Sequence, residues 1–123
     1  MLYSIDSQQY ITTIPHKKEF DIWRGRLSEQ EYDSICEKLN FRISENEINT
    51  SSWIPGSDWT DTVYEPIYVK ACNQHQEMAA KCFGLILWVV LMNHPDVWAF
   101  GRYEKEGVPI EGMTYFRLTK PPR

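Results

Sequence analysis

The chain has 123 residues, 42% of them hydrophobic and 14% aromatic, with a formal net charge of −4 and a pI near 5.3. That is the composition of one globular domain over residues 1–123, long enough to bury roughly two-thirds of its unfolded surface and too apolar for a disordered chain. The negative balance supplies no basic field to neutralise phosphates, which argues against nucleic acid as a partner.

The N-terminal MLYSIDSQQY has neither a basic region nor an apolar core, which predicts that no signal peptide precedes the fold. Two β-leaning runs follow, Leu2 to Ile5 and Tyr10 to Ile14, interrupted by Asp6-Ser7 and ended by Pro15. The densest basic group, His16-Lys17-Lys18 with Arg24 and Arg26 close behind, reads as solvated surface. In Phe20-Asp21-Ile22-Trp23-Arg24, Phe20, Ile22 and Arg24 alternate with Asp21 and Trp23, a period that predicts a strand. Ser28-Glu29-Gln30-Glu31 is a capping box, with Leu27 and Tyr32 placed as a hydrophobic staple. Tyr32, Ile35, Cys36 and Leu39 then recur on one helical stripe, predicting an amphipathic helix over 28–40 that Phe41 and Ile43 can carry another turn.

Residues 45–49 read as a loop leading into a short extended run to Trp53. In Trp53-Ile-Pro-Gly-Ser-Asp-Trp59 two indoles bracket a Pro55-Gly56 bend, where Pro fixes φ and Gly is free to take φ > 0. Thr62-Val-Tyr-Glu65 is a second capping box, with Pro66 tolerated in the first turn, and predicts a short helix over roughly 62–72. The stretch His75 to Asn93 predicts a central helix. From Cys82 to Met92 only the Trp88 indole and the Cys82 thiol offer hydrogen-bonding side chains, and a helix apolar all round must be covered on nearly every side. Those residues at about 1.5 Å rise reach only half of a ~30 Å hydrocarbon core, so no membrane span is predicted. After Asn93-His94-Pro95 the alternation in 97–104, a turn at Lys105-Glu106-Gly107 and a return over 108–118 predict a hairpin. Gly112 marks a candidate bulge and Pro109 an irregular or edge strand.

The predicted fold is α+β: a mainly antiparallel sheet with a C-terminal hairpin, packed around the long apolar central helix. A chain this small that must cover such a helix predicts a homodimer. The candidate ligand-binding residues are Trp53, Ser57, Asp58, Trp59, Tyr64, Glu65 and Arg102: aromatic walls with a few polar tips suit a small organic molecule, and a carboxylate among rings suits a cation. Each has a plainer role, the indoles as core plugs, Asp58 in a turn, Arg102 in a cross-strand pair. No serine has nucleophile context, no two histidines share a metal-ligand spacing, and Asp58, Asp61 and Glu65 lack the EF-hand spacing. No catalytic residue, metal or cofactor is therefore assigned. His94 reads as a protonated cap at the helix C-terminus and His75 as exposed surface. Cys36, Cys72 and Cys82 are odd in number and widely spaced, which suits buried reduced thiols in a cytoplasmic protein.

One resemblance adds to this. Ser51-Ser-Trp-Ile-Pro-Gly-Ser-Asp-Trp-Thr60, Tyr64-Glu-Pro-Ile-Tyr68, Cys82-Phe-Gly-Leu85, Phe100-Gly-Arg-Tyr-Glu104 and Gly112-Met-Thr-Tyr-Phe-Arg117 are similar to small bacterial proteins encoded by mobile integron gene cassettes. The similarity covers roughly residues 20–117. It implies a cytosolic α+β protein, often oligomeric, with a small-molecule pocket and no established catalytic residues. Residues and resemblance together lead to a non-enzymatic small-molecule-binding protein, or to a homo-oligomeric interaction module using the same aromatic surface. A hydrolase or transferase using Asp58 or Glu65 with His94 is a third option.

Overall fold

The computed structural model describes residues 1–4, 7–44, 48–50, 62–101, 104–105, 108–109 and 114–118; for 48–50, 101, 104–105, 108–109 and 114 it describes the backbone alone. The fold is α+β. In chain order it runs β1 (Leu2–Ser4), β2 (Gln9–Tyr10), α1 (Lys17–Gly25), α2 (Glu29–Ser44), β3 (Ile48–Thr50), a π-helical turn (Ile67–Ala71), α3 (Gln76–Met92), β4 (Trp98–Gly101), β5 (Glu104–Lys105), β6 (Val108–Pro109) and β7 (Thr114–Arg117).

The main sheet is mixed, in the order β2-β1-β4-β7-β3. β1 runs parallel to β4, pairing Leu2 with Trp98 and Ser4 with Phe100, while the β1–β2, β4–β7 and β3–β7 ladders are antiparallel. The parallel step joins the two ends of the chain across α3. At the C-terminal side β4 pairs with β7 (Trp98 with Arg117) and β5 with β6 (Glu104 with Pro109). The register differs by two residues between these ladders, because 102–103 separate β4 from β5 and 110–113 separate β6 from β7. Gly112 itself, with its expected bulge, lies outside the described residues.

The strand expected at Phe20–Arg24 is a helix. Phe20 and Trp23, three apart, are both buried with Leu27 beyond them, whereas Ile22, which alternation would place beside Phe20, is 56% exposed. Five residues are too few to separate a period of two from one of 3.6, and the adjoining Lys17 and Asp21 form an i,i+4 ion pair at 3.0 Å that a strand could not make. Similarly, of the second β-leaning run only Tyr10 pairs in a strand, together with Gln9 before it. Ile11 adds one hydrogen bond to the Leu2 carbonyl, and Ile11 and Ile14 then pack on the core without a ladder.

The capping box at the start of α2 is formed in both directions: Ser28 N–H donates to Glu31 Oε1 at 2.9 Å and Glu31 N–H to Ser28 Oγ at 3.0 Å. The helix continues a turn beyond Asn40 because Ile35, Leu39 and Ile43 form one fully buried stripe. The next predicted helix is shorter and wound differently. The Thr62 hydroxyl accepts from Tyr64 N–H, one residue earlier than a capping box requires, and Cys72 N–H reaches back five residues to the Ile67 carbonyl. Widening the turn lets Ile67, Ala71 and Cys72 all face the core while Val69 and Lys70 stay outside.

α3 begins at an unusual cap: the His75 Nδ1 accepts from Met78 N–H at 3.3 Å, a part commonly played by Ser or Asp. It ends at Asn93, whose φ of −92° keeps it right-handed before Pro95. Eight of its side chains are buried, among them Phe83, Ile86, Leu87 and Leu91, and from Cys82 onward the rest are half-buried. Burial of each Phe, Leu, Ile or Val among them stabilises by about 1.5–3 kcal/mol before chain entropy is subtracted. Trp88, on the outer flank, stacks on Phe100 with centroids 4.8 Å apart and donates its indole N–H to the Thr13 carbonyl at 3.2 Å. The strand edge and the segment after β2 thus cover α3 within one chain, so its apolar character does not require a second subunit.

Candidate functional site

Of the residues assigned to ligand binding, Trp53, Ser57, Asp58, Trp59 and Arg102 lie outside the described residues. Tyr64 and Glu65 are described, and they lie just before the π-helical turn. Tyr64 is 4% exposed, and its ring stands edge-on to Phe83 with centroids 5.3 Å apart and an interplanar angle of 89°. Burial pushes the Tyr64 phenol above its usual pKa, with the Arg42 charge pulling the other way. Tyr64 is therefore an anchor set into α3. Glu65 follows it, half-buried, with its N–H donated to the Thr62 carbonyl.

His94 has a different place from the one its helix-end position suggests. Its imidazole is buried, and Nδ1 accepts twice, from Asp96 N–H at 3.0 Å and from the Trp98 indole N–H at 3.4 Å. A ring accepting at Nδ1 is neutral and carries its proton on Nε2. Burial lowers its pKa, the Met1 ammonium and Arg117 act in the same direction, and only Asp96 opposes them. The protonated cap expected from the helix dipole is thus outweighed by desolvation and by two donors aimed at one lone pair. With that lone pair occupied, His94 has no acceptor to offer a substrate proton, which removes it as the base of a hydrolase. Around it the Met1 ammonium donates to the His94 and Asp96 carbonyls, and Arg117 Nε lies 3.5 Å from the Asp96 carboxylate.

The cysteines also come together in a way their spacing conceals. Cys72, at the end of the π-turn, and Cys82, on α3, are both buried, and each acts on the other's pKa. Cys36 lies on α2, half-buried, one turn from Tyr32. Burial raises the pKa of all three thiols. No signal in the sequence marks the Cys72–Cys82 pair, because it depends on the π-turn folding back on α3. Among the described residues no group of three or more His, Cys, Asp or Glu side chains is placed to hold a metal ion. No described helix is long and apolar enough to cross a membrane.

No known protein family, curated protein or solved structure matches this chain. Its function has to be argued from its own residues.

Proposed function

We propose that the chain is a non-enzymatic binding protein that takes a small organic ligand, cationic in preference, on the aromatic surface of Trp53 and Trp59. Ser57, Asp58, Glu65 and Arg102 supply the polar contacts. The observation that carries this is the anchoring of Tyr64 on Phe83. It fixes Tyr64, downstream of Trp59 in the chain, on α3, with Glu65 next to it on the same support. A loop fastened to a rigid element loses less entropy when it closes on a ligand. In this proposal Tyr64 is support for the ligand surface, and the protein is a cytoplasmic bacterial one of the integron-cassette kind.

The test is native mass spectrometry of freshly purified protein, followed by tryptophan fluorescence against a panel of organic cations. An adduct lost on denaturation, or a fluorescence change abolished by Trp59→Ala and weakened by Glu65→Gln, supports the proposal. Trp59→Ala that alters the oligomeric state while no ligand is found rejects it.

A second observation favours the homodimeric interaction module. Ile22 on α1 and Met78 on α3 are exposed, at 56% and 46%, each one helical turn from an end of the Glu19–Lys81 ion pair that links the two helices. Covering these apolar side chains with a second copy would stabilise a dimer. Ile22→Lys with Met78→Lys would then halve the mass seen by light scattering, and an unchanged mass would sink the dimer through this face.

A further inference from the structure

One end of the main sheet gathers a buried histidine, one carboxylate and two cations from separate parts of the chain. The turn at 94–96, between α3 and β4, is clamped by His94 itself. Its Nδ1 takes the Asp96 N–H at 3.0 Å and the Trp98 indole N–H at 3.4 Å. The imidazole stands edge-on to the Trp98 indole, with centroids 5.9 Å apart and an interplanar angle of 88°. The carbonyls of that same turn, His94 and Asp96, hold the Met1 ammonium at the head of β1, and the Met1 carbonyl accepts from the Trp98 backbone N–H at 2.8 Å. From β7, Arg117 places Nε 3.5 Å from Asp96 Oδ2 and Cζ 5.2 Å from the centre of the Trp98 ring. Asp96 Oδ2 is in turn 3.9 Å from His94 Nδ1. Among the described residues these are the charged groups that face His94; the last turn of α3 carries none.

We propose that these groups form an acid-released latch: when His94 takes up a proton, the 94–96 turn lets go of Met1 and β1 detaches from β4 while the helices stay folded. Nδ1 has one lone pair, and a proton placed on it turns an acceptor of two hydrogen bonds into a donor facing two donors. The Asp96 N–H and the Trp98 indole N–H then lose their acceptor, and a buried donor left unpaired costs more than a made bond contributes. Relief lies in the nearest carboxylate, Asp96, toward which the imidazolium turns in competition with Arg117. The turn that positions the His94 and Asp96 carbonyls thereby loses its clamp. Charge acts in the same direction. With a neutral ring the site sets Met1 and Arg117 against one carboxylate; with a charged ring it holds three cations. Burial keeps the ring neutral near neutral pH and places the release below the ordinary range of histidine. β1 is the part free to leave. It spans only Leu2–Ser4, and its other neighbour is the two-residue edge strand β2, whereas Arg117 lies in β7, paired on both sides. Detachment bares the edge of β4 from Trp98 to Phe100.

The experiment is an NMR titration of the isotope-labelled full chain from pH ~7.5 to ~5, the interval in which histidine side chains change charge. It follows the Trp98 indole N–H, the His94 ring, and hydrogen-exchange protection of the Trp98 and β1 backbone amides against that of α3, each corrected for intrinsic exchange. The indole shift and the ring titration should share one midpoint, below ~6.5. Across it the Trp98 and β1 amides should lose at least about tenfold in protection, with α3 unchanged. His94→Asn, which keeps an acceptor and cannot take the proton, should hold β1 in place throughout. Asp96→Asn, which removes the carboxylate that favours the charged ring, should move the release to lower pH. A β1 that stays protected through the His94 titration, a ring still neutral at pH ~5, or protection lost from β1 and α3 together would each overturn the latch. So would release at an unchanged pH in His94→Asn, or at a higher pH in Asp96→Asn. The unsubstituted chain alone supplies the midpoint and both protections, so the matter is decided even where a variant fails to fold.

Discussion

The ring of Tyr64 stands edge-on to Phe83 at 5.3 Å, which fixes the segment that opens at Thr62 against the middle of α3. Tyr64→Ala removes this contact and leaves a cavity at a site with 4% exposure, so it should cost about 3 kcal/mol of stability in urea unfolding. A loss below about 1 kcal/mol would mean that this segment is held elsewhere.

The Ser28–Glu31 box should behave as a reciprocal unit. Ser28→Ala is expected to cost about 1 kcal/mol. Glu31 also meets Lys70 Nζ at 2.6 Å; that bond first, then its bond to the Ser28 backbone, hold its carboxyl below the ordinary pKa. A depressed carboxylate stabilises the fold above its unfolded pKa and ceases to do so as pH falls through the folded value. Lys70→Ala should therefore lower stability at pH ~7 and leave it little changed well below pH ~4.5, where Glu31 is protonated, so that the acid limb of the stability curve flattens. A uniform loss at all pH values would assign Lys70 a packing role.

What was legible in the sequence is what local chemistry decides. Ser28-x-x-Glu31 specifies a helix start from four residues, and the apolar run after Cys82 specifies a buried helix wherever it lies. Phe20–Arg24 was misread because alternation and helical period coincide over so short a window. The parallel pairing of Leu2 with Trp98 joins residues at opposite ends of the chain and has no local signature. The same holds for the π-turn that carries Cys72 to the core, which no propensity announces. His94 deceived in the opposite way: its position at a helix end is a real signal, and burial with two donors overrules it. Among the candidate ligand residues, Tyr64 looked like a pocket wall because an aromatic near two tryptophans reads alike whether it faces solvent or core.

His94 gives a pH dependence of definite sign. Its folded pKa is lowered, first by burial, so the neutral form is the one the fold holds. Its contribution is fully present above the unfolded pKa of about 6.5 and is lost as pH falls below it. Urea midpoints should thus decline between pH ~6.5 and ~5. His94→Asn, whose amide oxygen can take the place of Nδ1 as acceptor, should remove most of that decline. A midpoint that rises toward pH 5 would show that protonated His94 is the favoured form.

Gly84 separates a self-contained helix from one that meets a partner. It lies in the middle of α3, half-buried, and a Cβ built on it meets nothing within 4 Å. Glycine costs a helix interior roughly 0.5–1 kcal/mol relative to alanine, so Gly84→Ala should stabilise the isolated chain by about that amount. The same methyl would intrude on any second copy or ligand seated against this flank. Measured together, unfolding in urea and mass by light scattering give distinct outcomes. Higher stability with unchanged mass means that the flank is free, as the covering of α3 by its own chain suggests. Lower stability with a loss of dimer mass means that the gap at Gly84 is where a partner helix or strand approaches.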